Sequence, residues 1–474
     1  MRSAVSGVVL SWVLVGCGGG DGGETSSDPD SATVDAMADV TSDVPTDALG
    51  DTGAGDTGAG DTGAGDTGTD TAVDTAPPST RCAPLALPAA FVEVTDKAKL
   101  VQTVFDAAAG STIVLPDGTY DLGGKTLQLH SKGVTLRGKS GDRTKVILDA
   151  GYSTAAGDAI QITADDVTVA HLTVRRAYDH PIHVYGLATA DVKNPRIYDV
   201  HVLDPGQQGI KVNANGAFDH FVDGGLVACS RIELTDAGRT KVRDSCYTGG
   251  IDIHASRGWV IRDNVVEGFY CASGLSEHGI HLWKGGRDNV VERNVIKDCA
   301  RGIGFGLGES TVGRTYAGLC GGAPLVGQYG GVIRNNTVFA GSAALFASAA
   351  SFDTGIALEQ ACETVVAHNT VFSTSAPLSS SFEWRFARTN ARFFNNLASH
   401  AFKDRGAGAV ATRVGDQSAA TAALFVDASK GDLHLVSTAS VKDKGAAVPA
   451  GLCDDDLDAM PRASLRDVGA DELP

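Results

Sequence analysis

Short runs in which apolar and polar residues alternate return along the chain at irregular intervals. They read DAIQIT (Asp158–Thr163), HPIHVY (His180–Tyr185), QGIKVN (Gln208–Asn213), GGIDIH (Gly249–His254), HGIHLW (His278–Trp283), RGIGFG (Arg301–Gly306), TGIALE (Thr354–Glu359) and SSFEWR (Ser380–Arg385). Alternation with period 2 over so few residues predicts β-strands with one buried face. Most copies are followed by a second apolar run carrying an asparagine. Asn264, Asn294, Asn336, Asn369 and Asn396 hold the same place in VIRDNVV, VVERNVI, VIRNNTV, VVAHNTV and RFFNNLA. Each unit is too short to bury a face alone, so the units must stack as a solenoid, and the fold class is all-β. The asparagines are assigned to structure, because stacked amides at a repeated tight turn satisfy backbone groups from rung to rung.

Alternation also sorts the side chains into columns. Ile160, Ile182, Ile210, Ile251, Ile280, Ile303, Ile356 and Phe382 point inward. So do Ile162, Val184, Val212, Ile253, Leu282, Phe305, Leu358 and Trp384. The residues between them must face outward. One outward column runs Gln161, His183, Lys211, Asp252, His281, Gly304, Ala357, Glu383. Its neighbour runs Thr163, Tyr185, Asn213, His254, Trp283, Gly306, Glu359, Arg385. Rungs about 4.8 Å apart make these columns one contiguous patch, predicted to face solvent. An ordinary solvated face would mix Ser, Thr, Asn and Lys. Here three histidines, a lysine, aromatics and carboxylates converge, and Gly304 and Gly306 predict a depression beside them.

Before the rungs, Thr95–Gly110 places Leu100, Val101, Val104, Phe105 and Ala108 at helical spacing, with Thr95 or Asp96 as N-cap and Gly110 as terminator. This amphipathic helix is predicted to plug the open end of the stack. STIVLPDGTYDL then leads into the first strands, turning at Asp117-Gly118.

Composition divides the chain. Residues 1–16 hold one early charge (Arg2) and an apolar stretch, and LVGC ends at Cys17. A short apolar segment with a small residue before the cut reads as a signal peptide. The Leu-x-Gly-Cys ending resembles a bacterial lipobox, which implies lipidation of Cys17. Gly18 after it implies sorting to the outer membrane or cell surface. Residues 17–81 are a Gly/Asp/Thr tether with GDTGA repeats and little to bury, expected to be disordered. The tether carries 14 acids from Asp21 to Asp74, so of the net charge of −18, with Arg2 and Arg81 counted, only −6 remains for residues 82–474. That mild acidity, with no basic run, argues against nucleic acid as a partner. Eight cysteines follow Cys17, enough for four disulfides in an exported chain, with pairing left open. Cys229 and Cys246 flank the long interval between Ile210 and Ile251 and are placed to staple it. With no CxxC pair, thiolate zinc is not expected.

The helix, GSTIVLPDGTY, the Gly-Ile and Asn-x-Val rungs and the closing DVGADEL (Asp467–Leu473) together resemble right-handed parallel β-helix proteins, the pectate-lyase-like superfamily, over residues 91–474. The resemblance implies a single β-helix domain at 82–474. It leaves function open among lyases, hydrolases, epimerases and adhesins. The polygalacturonase set is absent beyond the fragments Asp165-Asp166 and Glu277–Gly279, and the pectate-lyase calcium carboxylates and arginine-rich segment are not found.

A β-helix groove suits an extended polymer, and Trp283 and Tyr185 can stack on sugars. The leading expectation is a cell-surface lyase cleaving a uronic-acid-containing polysaccharide by β-elimination; the alternative is a non-catalytic carbohydrate-binding or adhesion lipoprotein. β-Elimination requires a neutraliser for the substrate carboxylate, a base for the C5 proton and an acid for the leaving oxygen. Lys211, His254 and His281 are the expected catalytic group. His183, Tyr185, Asn213, Asp252, Trp283, Glu359, Glu383 and Arg385 are the expected substrate-binding residues, with Arg385 and Asn213 on the carboxylate. No cofactor is required; calcium is admissible. His278 and His281 with His254 and Asp252 offer donors for zinc, although His278 is expected in the turn before the strand, bonded to backbone. The protein is expected to act as a monomer that meets a membrane only through its lipid anchor.

Overall fold

The computed structural model describes residues 80–474 apart from 244 and 309–311. The leader at 1–16, Cys17 and the tether as far as residue 79 lie outside the described residues. Arg81 is already tied to the body, donating from Nη1 to Leu457 O (2.9 Å) and Asp263 Oδ1 (3.3 Å).

Ten strands form one wall of the solenoid. They are β1 (Leu127–Leu129), β2 (Ile160–Ile162), β3 (Ile182–Tyr185), β4 (Gln208–Asn213), β5 (Gly249–His254), β6 (His278–Trp283), β7 (Arg301–Phe305), β8 (Thr354–Glu359), β9 (Ser380–Arg385) and β10 (Phe402–Asp404). Each pairs in parallel with the next in chain order. A 22-stranded sheet supplies the remaining walls. The isoleucines align rung on rung (Ile182 with Ile210, Ile210 with Ile251, Ile251 with Ile280), and both inward columns are buried in one core running from Val94 to Ala409. Stacking lets this core lengthen without thickening, which is how so long a stack keeps one continuous core.

The glycine before Ile210, Ile251, Ile280, Ile303 and Ile356 is closely packed. A Cβ at Gly279 would stand 3.1 Å from Ile296 Cγ2, and one at Gly302 would stand 2.9 Å from Val338 Cγ1. The backbone there is pressed against the neighbouring wall, so a larger side chain would force that wall to shift.

The asparagine ladder is continuous. Asn294 Nδ2 donates to Ile261 O (2.9 Å) and Asn336 Oδ1 (2.9 Å), while its Oδ1 accepts from Asn264 N (3.1 Å) and Nδ2 (2.9 Å). The same exchange links Asn336 to Asn369 and Asn369 to Asn396. Ser230 N closes one end on Asn264 Oδ1, and Asp416 Oδ1 closes the other by accepting from Asn396 N and Nδ2. Asp263, Arg293, Asn335, His368 and Asn395, each directly before a ladder asparagine, adopt φ of 52° to 57°. That left-handed residue makes the sharp bend between walls, a strain that the buried amide bonds offset.

The N-terminal helix is shorter than the sequence predicts. A 3-10 turn at Lys97–Lys99, capped by Asp96 Oδ1 on Ala98 N (3.0 Å), leads into α1 (Leu100–Phe105). Leu100 and Val104 are buried against the stack, whereas Phe105 is 47% exposed. The helix ends at Phe105, and Gly110 N donates to Lys132 O (2.9 Å) in the stack. At the other end, residues from Ala420 to Val468 form a second core with Phe339, Phe372 and Leu397. The DVGADEL segment closes onto the ladder turn, with Gly469 N donating to Asn395 O and Ala470 N to Thr370 Oγ1.

Three disulfides occur among the described residues, Cys82–Cys229, Cys246–Cys271 and Cys320–Cys362, rather than four. Cys299 and Cys453 are buried free thiols. Cys229 and Cys246 do not staple their interval to itself: one joins the stack to Cys82, the other joins two successive insertions. Among the described residues, no helix is long and apolar enough to cross a membrane.

Candidate functional site

The register brings five expected residues together across β4, β5 and β6. Lys211 pairs with Asp252, Asp252 with His281, and His254 with Trp283. One carboxylate organises them. Asp252 Oδ2 accepts from Lys211 Nζ at 2.8 Å and lies 3.0 Å from His254 Nε2; Lys211 Nζ and His254 Nε2 are 3.3 Å apart. Asp252 Oδ1 accepts from Trp283 Nε1 at 2.9 Å and stands 3.7 Å from His281 Nδ1. Trp283 stacks on His281 with ring centroids 5.2 Å apart, and His254 meets its edge at 4.6 Å.

The patch does not face solvent. Lys211 and His281 are 0% exposed, and Asp252 and His254 are 1% exposed. These side chains alternate with core residues and so lie on the outer side of the wall. Their burial comes from a cover that the sequence pattern does not reveal. Tyr247 reaches over Lys211 and receives a hydrogen bond from its Nζ at 3.0 Å. The insertion carrying Tyr247 is bound through Cys246–Cys271 to the insertion before β6. Thr248 Oγ1 donates to Gln207 O and Glu277 N to Thr248 O, pinning both insertions to the sheet.

Burial shapes the charges beneath the cover. It pushes the Asp252 carboxyl upward, but interaction with the adjacent His254 and Lys211 outweighs it and holds the group well below the usual carboxylate range. Burial raises the Tyr247 phenol, with Lys211 opposing and Asp252 and Glu277 reinforcing, so Tyr247 stays protonated. Burial also raises Glu277, yet His281 prevails through hydrogen bonding and charge and the group ends below its ordinary value.

Other expected residues are placed differently. His183, Tyr185 and Asn213 form a half-buried margin; His183 Nδ1 lies 2.9 Å from Asp158 Oδ2, and Tyr185 donates to Gln161 Oε1 at 3.3 Å. Glu359 is half-buried and accepts from Gly308 N at 2.6 Å. Glu383 is buried and fully engaged, accepting from Ser379, from Ser380 Oγ (2.9 Å) and from Arg405 Nη1 (3.1 Å). Arg385 stacks on Phe386 at 4.6 Å and sits five strands from Asn213. That separation is roughly 24 Å at the spacing of paired strands, so Arg385 and Asn213 do not reach one sugar carboxylate. The depression expected at Gly304 is filled: a Cβ there would stand 2.6 Å from His278 Nε2. His278 itself begins β6, is 2% exposed, and makes no ring-nitrogen hydrogen bond to backbone or side chain among the described residues.

Sequence reasoning also missed an outward column, the first residue of every copy but the one that begins at Gly249: Asp158, His180, Gln208, His278, Arg301, Thr354 and Ser380. Strict alternation sends these inward with the isoleucines. The glycine corner at Gly209, Gly279, Gly302 and Gly355 faces the core instead, which turns the preceding residue out. The recurrent polar residue two places before isoleucine was the available signal. Tyr247 and Glu277, in insertions outside the repeat, had none.

A family model described as right handed beta helix region matches residues 158–398. No curated protein matches the chain. Among solved structures, an alginate lyase from Paenibacillus sp. is 15% identical, with 68% of this chain and 97% of that one covered, at a TM-score of 0.47. A pectate lyase, Pel9A, is 14% identical over 79% of this chain and 90% of its own, at 0.48. A surface adhesin of Streptococcus pneumoniae is 10% identical over 64% and 81%, at 0.35. With more than half its length matched by the family model, the chain belongs to the right-handed β-helix family.

Proposed function

We propose that the protein cleaves a uronic-acid-containing polysaccharide by β-elimination on the outer face of β4 to β6. The observation that carries this reading is the single Asp252 carboxylate holding an ammonium, an imidazole and an indole N–H together, with a phenol at the ammonium. Those groups supply the three functions that the reaction needs. Lys211, ion-paired to Asp252, neutralises the substrate carboxylate. His254 takes the C5 proton, and the protonated Tyr247 phenol serves the leaving oxygen. His281, whose Nε2 donates to Gly306 O (3.0 Å), positions Trp283 for stacking on a sugar. Substrate reaches the cluster when the covering insertions are displaced. Display on a lipid-anchored tether at the cell surface, through Cys17, belongs to the same proposal. The test is incubation of purified protein with uronate polymers, reading unsaturated ends by ultraviolet absorbance. Lys211→Ala with His254→Ala should abolish the signal. Activity that survives the pair refutes the site, and silence on every uronate polymer refutes the reaction.

A second reading is favoured by the complete burial of Lys211. In it the cluster braces the wall, and the half-buried margin of His183, Tyr185 and Asn213 binds carbohydrate without cleaving it. Binding that persists in the double variant and is lost in Tyr185→Ala would favour it.

A further inference from the structure

Glu277, His278 and His281 stand beside the Asp252 network, and none of the three roles proposed above uses Glu277 or His278. All three are at most 2% exposed. Both ring nitrogens of His278 have no hydrogen-bond partner among the described residues, and the buried Glu277 Oε2 and His281 Nδ1 stand 3.1 Å apart. These atoms converge, with one from each residue lying within 4.8 Å of the others. Buried polar atoms left without partners cost free energy, so several aimed at one point call for an occupant.

We infer that Glu277, His278 and His281 form a binding site for a zinc-class divalent cation, with Asp252 at its edge. Glu277 Oε2 and His281 Nδ1 are 3.1 Å apart, close to the roughly 3.3 Å between two ligands on a tetrahedral zinc with bonds near 2.05 Å. His281 Nε2 donates to Gly306 O at 3.0 Å, which leaves the Nδ1 lone pair for a metal. A backbone carbonyl fixing the distal imidazole nitrogen is the usual support for a metal-binding histidine. The Arg301 guanidinium is held off by Asp353 Oδ2 at 3.0 Å. Two imidazoles and a carboxylate suit zinc, cobalt or another first-row ion and not calcium, which takes oxygen ligands. The ion would clamp Glu277, at the end of the disulfide-bound insertion, to β6.

The site lies next to the proposed lyase cluster but does not depend on its chemistry, and the experiment needs no substrate. Purified full-length protein is stripped with chelator, dialysed against zinc or cobalt, and analysed for metal per chain and for the visible absorption of four-coordinate cobalt. We expect one equivalent bound and at least a tenfold weaker affinity in Glu277→Gln and in His278→Ala. His400→Ala, remote from the site, should bind as the parent does. Folded wild-type protein that takes up neither ion overturns the inference, whatever the variants do. Unchanged binding in Glu277→Gln together with His278→Ala also overturns it. Metal-loaded protein without lyase activity would refute the proposed reaction and leave this site standing.

Discussion

Replacing Asp252 by asparagine tests whether the buried network is an ion-paired unit. The amide keeps the volume, and its oxygen can still accept from Trp283 Nε1. What disappears is the charge facing Lys211 Nζ at 2.8 Å, in a place where neither residue is more than 1% exposed. Stranding one member of a buried ion pair costs about 3–5 kcal/mol. Lys211→Met should cost a similar amount, because it strands Asp252. The double variant should be more stable than the two costs summed, with a coupling of about 2–3 kcal/mol, since it removes both charges together. Urea unfolding by circular dichroism, with hydrogen exchange at the amides of β4 to β6, reads both quantities. Acid adds an independent limb. Asp252 is held below its unfolded value, so its contribution is complete above an unfolded pKa of about 3.9 and is lost as pH falls through the lower folded value. Wild type should therefore lose stability below about pH 4 more steeply than Asp252→Asn. A cost under about 1 kcal/mol, additive single variants, or identical acid limbs would refute the network.

Asn294→Ala breaks the ladder at its second asparagine and leaves Ile261 O and Asn264 N without their buried partners, so the folded state should be destabilised by about 2–4 kcal/mol beyond a surface change, read as a lowered urea midpoint. Cys246→Ser with Cys271→Ser opens a 25-residue separation and should cost about 3.5 kcal/mol by loop entropy; it should also expose His254 to diethylpyrocarbonate, which must spare it in the parent.

The sequence by itself determined the rungs. Ile210, Ile251 and Ile280 stack as alternation requires, and Lys211, Asp252 and His281 therefore share a column, because a period of 2 leaves each side chain only two directions. The asparagine ladder was legible for a related reason: a turn that recurs once per rung repeats its chemistry in the text. The α1 boundary was less legible: the helical spacing runs on to Ala108, whereas the helix stops at Phe105 and Gly110 is already bonded to Lys132 in the stack.

What only the tertiary structure decided is what lies over the wall. Tyr247, the Cys246–Cys271 bond and Glu277 sit in insertions that obey no repeat, so no periodicity marks where they fold, and their return across β4 to β6 turns an expected solvent face into a sealed interior. The corner glycines decided the direction of His278, because the pressure of a neighbouring wall on the backbone overrode local alternation. Direction along a strand can be read from spacing only where no neighbouring wall turns the backbone, as one does after His278. Burial depends on what other segments cover, and distance between Arg385 and Asn213 depends on counting strands in space.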